Sequence, residues 1–302
     1  MRLKKRLTFG FGLKLVAFLL CLGAASGVYI DLAGDRRLSV WGGLLVVGFC
    51  LVIYGMFIEP RRLLVRRFRE KLVAEPQAWI RVVLMTDFHA GVARSKPWYD
   101  RLVIEAQALD PDVLLLGGDY VNDDAAKIHD LKALSGITAR LGRYFILGNH
   151  DFLDDPATVR ETLRAWGLVD LTNAHTTLRK DGRELQLSAL DDHWHGRPAV
   201  PPLRASRTIP HVTLAHEPDA VLDFEPGDTD LLLAGNTHGG QVRLPLIGPL
   251  MPIPAKLGRT VDRGRKLIRG VKLIISSGCG ESDFKARLFC PPEITVIEVG
   301  IW

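Results

Sequence analysis

Cysteine is scarce in this sequence: four residues in 302, none at a Cys-x-x-Cys spacing. Cys21 and Cys50 fall inside apolar runs, and Cys279 and Cys290 belong to no motif. That leaves no disulfide framework and no thiolate set for a structural zinc, so each thiol reads as a small apolar residue in a reducing compartment. An internal repeat and low-complexity segments are also missing. Charge is absent from Val40 to Ile58 and reduced to Lys14 between Leu13 and Ile30.

Those two uncharged runs each approach the ~20 helical residues that cross a bilayer, with Lys14 close enough to an end to snorkel. A signal peptide competes for the first run, with Ala24-Ala-Ser-Gly27 as its cleavage region, but the second run would still anchor the chain. The reading adopted is an anchor domain over residues 1–75, with a two-helix transmembrane hairpin whose spans lie near 13–30 and 40–58. Gly23 and Gly27 form a GxxxG pattern that could pack the helices, and Trp41 and Tyr54 sit as interfacial aromatics. The net charge of +5 is concentrated in Arg2, Lys4, Lys5 and Arg6 and in the run from Arg61 to Lys71. Because these clusters flank the apolar runs, membrane topology accounts for them better than nucleic acid, which is not an expected partner. Both termini are expected in the cytoplasm of a multi-pass protein. The run from Arg61 to Lys71 is read as a topology determinant and anionic-lipid contact, or as an amphipathic helix with Leu63, Leu64 and Phe68 facing lipid.

Residues 76–302 form the second domain. Strands expected at 79–86, 113–116 and 144–147 alternate with helices at 98–109, 126–140 and 156–166, the βαβ rhythm of parallel pairing. After Asp170 strands at 185–190, 212–215, 231–234, 272–276 and 294–299 follow with few helices between them, which implies a second sheet packed on the first.

Five apolar strands end in Asp, Asn or His. They run into Asp87-Phe-His89, Gly117-Gly-Asp119, Gly148-Asn-His-Asp151, Ala215-His216 and Gly235-Asn-Thr-His238-Gly-Gly-Gln241. Packing does not demand such endings. Mixed carboxylate, amide and imidazole donors suit Mn²⁺, Fe²⁺ or Zn²⁺ better than Ca²⁺. Two such ions about 3.5–4 Å apart serve phosphoryl transfer well. His193-Trp-His195 beside Asp191-Asp192 looks like a further cluster; His129, His175 and His211 read as structural.

In this order the motifs resemble the calcineurin-like metallophosphoesterases over nearly all of 80–299. Leu116-Gly-Gly-Asp-Tyr-Val121, Leu214-Ala-His-Glu-Pro-Asp219 and Gly239-Gly-Gln-Val-Arg-Leu-Pro245 point to the bacterial membrane-associated phosphodiesterase branch, which includes a UDP-2,3-diacylglucosamine pyrophosphatase of lipid A synthesis. The resemblance implies a four-layer α/β sandwich, two mixed sheets flanked by helices, with two divalent metals at the strand ends, Mn²⁺ preferred. Asp87, His89, Asp119 and His238 would hold the first metal. Asp119 as bridge, Asn149 and His216 would hold the second. His150 would act on the transition state or the leaving oxygen, with Asp151 orienting it. Asn236 stands where the family usually has a histidine, so the second site should be looser. The implied activity is hydrolysis of a phosphodiester or pyrophosphate in a lipid-linked substrate at the bacterial inner membrane, with UDP-2,3-diacylglucosamine the specific expectation. The alternatives are a cell-wall or soluble nucleotide substrate, or a non-catalytic scaffold. Oligomeric state is left open.

Overall fold

A computed structural model describes residues 23, 40–199 and 204–302. The first expected span, apart from Gly23, lies outside the described residues. The second is a continuous helical run from Val40 to Arg61, 22 residues of mean hydropathy 2.2. It begins as α1 (Val40–Ile53), widens to a π-turn over Tyr54–Ile58 and tightens to a 3-10 turn over Glu59–Arg61. Among the described residues it is the one helix long and apolar enough to cross a membrane. Trp41, Leu44, Val47, Phe57 and Ile58 are exposed, so nothing among the described residues covers most of its surface. Where the helix widens, the Gly55 carbonyl accepts a hydrogen bond from the Arg287 amide at 2.8 Å. A Cβ at Gly55 would stand 3.2 Å from the Arg287 carbonyl oxygen, so glycine permits this approach.

The next segment departs from expectation. The basic run contains no amphipathic helix; Leu64–Lys71 is an edge strand, β1, paired in parallel with the last strand. Phe68 and Leu72 pack against the core between the sheets, Arg66 pairs with Glu293 at 2.8 Å, and the Arg69 guanidinium lies 3.9 Å over Trp79. From Arg66 to Lys71 covered and exposed side chains alternate with the period of two of a strand, and the domain itself uses much of the charge assigned above to lipid.

The remaining strands are β2 (Ala78–Met85), β3 (Val113–Leu116), β4 (Gly142–Phe145), β5 (Val169–Asp170), β6 (Ala174–Lys180), β7 (Arg183–Ala189), β8 (His211–Leu214), β9 (Leu231–Ala234), β10 (Arg243–Leu244), β11 (Gly248–Pro249), β12 (Gly264–Ile268), β13 (Val271–Ile275) and β14 (Glu293–Ile301). One mixed sheet has the order β1-β14-β2-β3-β4-β5, the other β12-β13-β9-β8-β7-β6. β2 to β5 are parallel, as are β7, β8, β9 and β13. β2 shows why the sheets stack: Ile80, Val82 and Leu84 enter the core between them, while Val83 and Met85 face the helices outside. Those helices are α2 (Lys96–Ala108), α3 (Pro156–Ala165) and a 3-10 stretch over Ala125–Gly136. Pro156 begins α3, where a missing N–H costs nothing, and Asp155 caps it by accepting from the Ala157 and Thr158 amides.

The outermost layer on the second sheet is not α-helical. The 3-10 turns Pro218–Asp223 and Gly258–Val261 place Ala220, Val221 and Val261 against Leu232, Leu273 and Ile275. Because neighbouring strands are parallel, the carboxyl ends of β2, β3, β4, β8 and β9 lie together, and every ligand-bearing turn follows such an end.

Candidate metal centre and cavity

Three of the turns, those after β2, β3 and β9, break their strands by left-handed residues. Asp87 (φ 58°), His89 (φ 46°), Asp119 (φ 55°), Asn236 (φ 64°) and His238 (φ 50°) all have positive φ, a region that Asn, Asp and His tolerate better than other side-chain-bearing residues. The reversal swings their side chains off the strand and into one buried centre. Gly118 (φ +96°) and Gly148 make the approach possible. A Cβ on Gly118 would meet the Gly148 nitrogen at 2.4 Å, and one on Gly148 would meet Asp119 Oδ1 at 2.5 Å.

Donor atoms of Asp87, His89, Asp119 and His238 lie within 4.8 Å of one another, all buried. His89 Nε2 is 2.9 Å from His238 Nε2, and His238 Nε2 is 3.4 Å from Asp87 Oδ1. Asp119 Oδ2 lies 3.3 Å from His89 Nε2 and 3.3 Å from His216 Nε2. His216 Nε2 is also 3.2 Å from Asn149 Oδ1. The His216 Nδ1–H donates to the Gly117 carbonyl at 2.7 Å, which leaves Nε2 as the inward nitrogen. Asp119 Oδ1 accepts the His150 amide at 2.8 Å, but the buried Oδ2 has no hydrogen-bond donor. A buried carboxylate oxygen without a donor costs several kcal/mol by the usual ~1–3 kcal/mol scale for neutral groups and more for charged ones. An oxygen left so between two imidazole nitrogens fits a divalent cation, as does the hard-and-borderline donor set.

The charge states of His89 and His238 agree with this. Burial, then the like charges of His150 and His216, push His89 down to about 3, and burial with His89 lowers His238. Both are therefore neutral imidazoles, the form that ligates. Burial opposes ionisation of Asp119, but His216 and His150 outweigh it and hold the carboxyl low. Burial likewise opposes charging His216, and Asp119 overrides it. Burial raises Asp87 to about 7.

A cavity of about 400 Å³ opens over this centre. Asp119, Asn149, His150, Asn236 and His238 form its floor, and Leu153, Trp194, Met251, Pro252, Pro254 and Phe284 its apolar walls.

Comparison with known proteins settles the family. Residues 80–240 match the family model described as calcineurin-like phosphoesterase. Phosphodiesterase YaeI of Escherichia coli strain K12 is 31% identical over 258 residues, 82% of this chain and 92% of that protein. The chain belongs to the calcineurin-like phosphoesterases. The uncharacterized metallophosphoesterase YkuE of Bacillus subtilis strain 168 is 27% identical over 80% of this chain and 87% of its own length. A protein of Danio rerio named transmembrane protein with metallophosphoesterase domain is 28% identical over 66% of this chain and 49% of its own length.

This calcineurin-like phosphoesterase is thus a metal-dependent hydrolase with a metal-binding cluster of Asp87, His89, Asp119 and His238. Its structure revises one residue role. Asp151, expected to orient His150, instead accepts the backbone amides of Asp119 and Gly148 on Oδ2 and of Tyr120 and Val121 on Oδ1, at 2.9–3.2 Å. It stitches the Asp119 turn to the Asn149 turn. The His150 ring is set by the Asn122 carbonyl, 2.7 Å from Nδ1. Asn236 donates its backbone amide to Asp87 Oδ1 at 3.1 Å and its Nδ2 to the Pro254 carbonyl at 3.4 Å. Of the second cluster, Trp194 and His195 reach the cavity wall, while His193 is taken up by Glu217 and Asp223.

Sequence reasoning missed the turn Ser276–Glu281. It continues β13 as the other turns continue their strands, but carries no ligand-type residue in the centre. Its glycines seat Asp87: the Gly280 amide donates to the Asp87 carbonyl at 2.7 Å, and a Cβ on Gly278 would lie 2.7 Å from that of Asp87. The fully buried Arg287 ties this turn by donating to the carbonyls of Ser277, Gly280 and Cys290. A single Arg in a polar segment gives no sequence signal of burial.

Proposed function

We propose that the chain is a membrane-anchored phosphodiesterase or pyrophosphatase using two divalent metals, Mn²⁺ preferred, on a lipid-linked substrate at the cytoplasmic face of a bacterial inner membrane. The observation that carries the two-metal reading is Asp119 Oδ2, buried without a donor and 3.3 Å from both His89 Nε2 and His216 Nε2. Asp87, His89, Asp119 and His238 would hold one ion, and Asp119, Asn149, His216 and Asn236 the other. Bound there, the ions supply Lewis acidity and neutralise phosphoryl oxygens.

The chain's own groups do the rest. With Nδ1–H donated to Asn122, His150 keeps Nε2 for the substrate and, when protonated, can donate to the leaving oxygen. Asp151 keeps the Asp119 and Asn149 turns in register. The apolar walls exclude water and offer contact to a hydrocarbon or ring. Leu246, Ile247 and Leu250 stand exposed beside the wall residue Met251, which suits a substrate arriving from lipid. UDP-2,3-diacylglucosamine, cleaved to UMP and the lipid 1-phosphate, is the specific candidate. The test is turnover of that lipid by purified protein with Mn²⁺. Release of UMP supports it; no release alongside good turnover of a soluble nucleotide diester would sink the lipid substrate and leave the phosphodiesterase.

A further inference from the structure

A second cavity, of about 490 Å³, lies where the apolar helix enters the domain. The helix end contributes Met56, Phe57 and Arg61, α2 contributes Trp98 and Arg101, and the loop after β13 contributes Lys285. Its charge is one-sided. Arg61, Arg94, Arg101 and Lys285 face a single carboxylate, Glu281, and Glu281 is already engaged by Arg94 and, at 3.7 Å, by the buried Arg287. Arg94 is also spent on the Pro60 carbonyl and stacks 3.8 Å over Trp98. Among the described residues Arg101 donates to the Arg61 carbonyl, at 3.0 Å, and Arg61 to the Phe57 carbonyl, both uncharged acceptors, and Lys285 is exposed. The surplus positive charge thus rests on Arg61, Arg101 and Lys285. The amino end of α2 adds to it, since Ser95 makes no side-chain cap and the first turn holds no acid.

Position gives this surplus a meaning. Val40 to Ile58 carries no charge, and Arg61 and Arg62 follow Glu59 and Pro60 at its end. In a membrane the cavity would lie at phosphate depth, with the exposed Phe57 and Ile53 just above it at acyl depth. An anion there meets three cations, while its hydrocarbon runs along the exposed Ile53 and Phe57.

We propose that this cavity is a non-catalytic site for the phosphate headgroup of an anionic phospholipid. It rests on the reading of Val40–Arg61 as a membrane span and is independent of the substrate. It also touches the catalytic side, because Lys285 follows Ser282, Asp283 and Phe284, which line the catalytic cavity. Headgroup binding would hold that wall in place.

The experiment uses the full chain in detergent, with native mass spectrometry counting bound lipid during titration by dioctanoyl phosphatidylglycerol, dioctanoyl phosphatidylcholine or inorganic phosphate. The doubly substituted Arg101→Ala/Lys285→Ala is compared with a charge-matched control, Arg179→Ala/Arg269→Ala, on the far sheet. Phosphatidylglycerol should bind at least ~10-fold tighter than phosphatidylcholine, and the first variant should lose about 30-fold in that affinity, at roughly a factor of five per cation. The control should not change. Hydrolysis of bis-p-nitrophenyl phosphate in detergent should stay within about twofold for both, which reports that the fold is intact. Equal binding of the two lipids, equal loss in variant and control, or inorganic phosphate competing fully for the site would each overturn the assignment.

Discussion

At the scale of single residues, the centre is built from backbone that other side chains avoid. Asp87, His89, Asp119, Asn236 and His238 hold positive φ, at a cost of order 1 kcal/mol each. The surrounding turns over-determine these conformations, as Asp151 does by collecting four amides. Asp119 carries the most consequence because one of its oxygens faces both His89 and His216. Replacing it with Asn keeps the shape and removes the charge. Asp119→Asn should lower kcat/KM on bis-p-nitrophenyl phosphate by about 10³-fold or more if, as proposed, this carboxylate is shared by two metals. Circular dichroism should show the fold retained. An effect below tenfold would refute the bridging position.

Two elements carry predictions of their own. β1 falls inside the stretch that sequence assigns to the anchor, yet it pairs with β14 over Leu64–Lys71. A chain beginning at residue 76 would lose Phe68 and Leu72 from the core between the sheets and expose the β14 edge. Compared with a chain beginning at residue 62, it should melt about 10 °C lower or aggregate. Equal melting temperatures would place β1 outside the cooperative unit. The second case is His211 at the start of β8. Its Nδ1–H donates to the Asp228 carbonyl at 2.9 Å while Nε2 lies 2.7 Å from Ser188 Oγ, partners that suit the neutral ring. Burial pushes its pKa down to about 4, whereas an unfolded histidine titrates near ~6.5. Between those values the unfolded chain binds the proton and the folded chain does not, so stability falls as pH drops through this window. From pH 7.5 to 5 the wild type should lose about 2 kcal/mol more unfolding free energy than His211→Gln, read by urea denaturation.

On the scale of the whole molecule, the two sheets converge on the centre from different parts of the chain. The first sheet brings Asp87, Asp119 and Asn149; the second brings His216 and His238. A cation held by both should bind the folded chain and not the unfolded one. Chelation should therefore abolish hydrolysis and lower the melting temperature by about 5–10 °C, the shift for a ligand near 100 times its Kd. Added Mn²⁺ should restore both. The topology expectation is tested at this scale too. A C-terminal alkaline phosphatase fusion should be inactive and a C-terminal fluorescent protein bright, since both termini are expected in the cytoplasm; the reverse pattern would overturn the inner-leaflet substrate.

Sequence by itself determined the family, the alternation of strands and helices, and the strand-end positions of the ligand-type residues. Those features are local: apolar runs of strand length ending in Asp, Asn, His and Gly are visible one segment at a time. The two-residue strands β5, β10 and β11 were not legible, because so few residues carry no periodicity; the edge strands β6 and β12, with few apolar residues, were missed as well. β1 was hidden by its arginines, whose pairing with Glu293 and stacking on Trp79 join segments more than 200 and about ten residues away. Only the tertiary structure decided that Asp151 holds backbone while Asn122 holds the His150 ring, that Arg287 is buried, and that the glycine turn after β13 seats Asp87. Each of these depends on which distant backbone amides and carbonyls arrive at the same place, and spacing along the chain carries no trace of that.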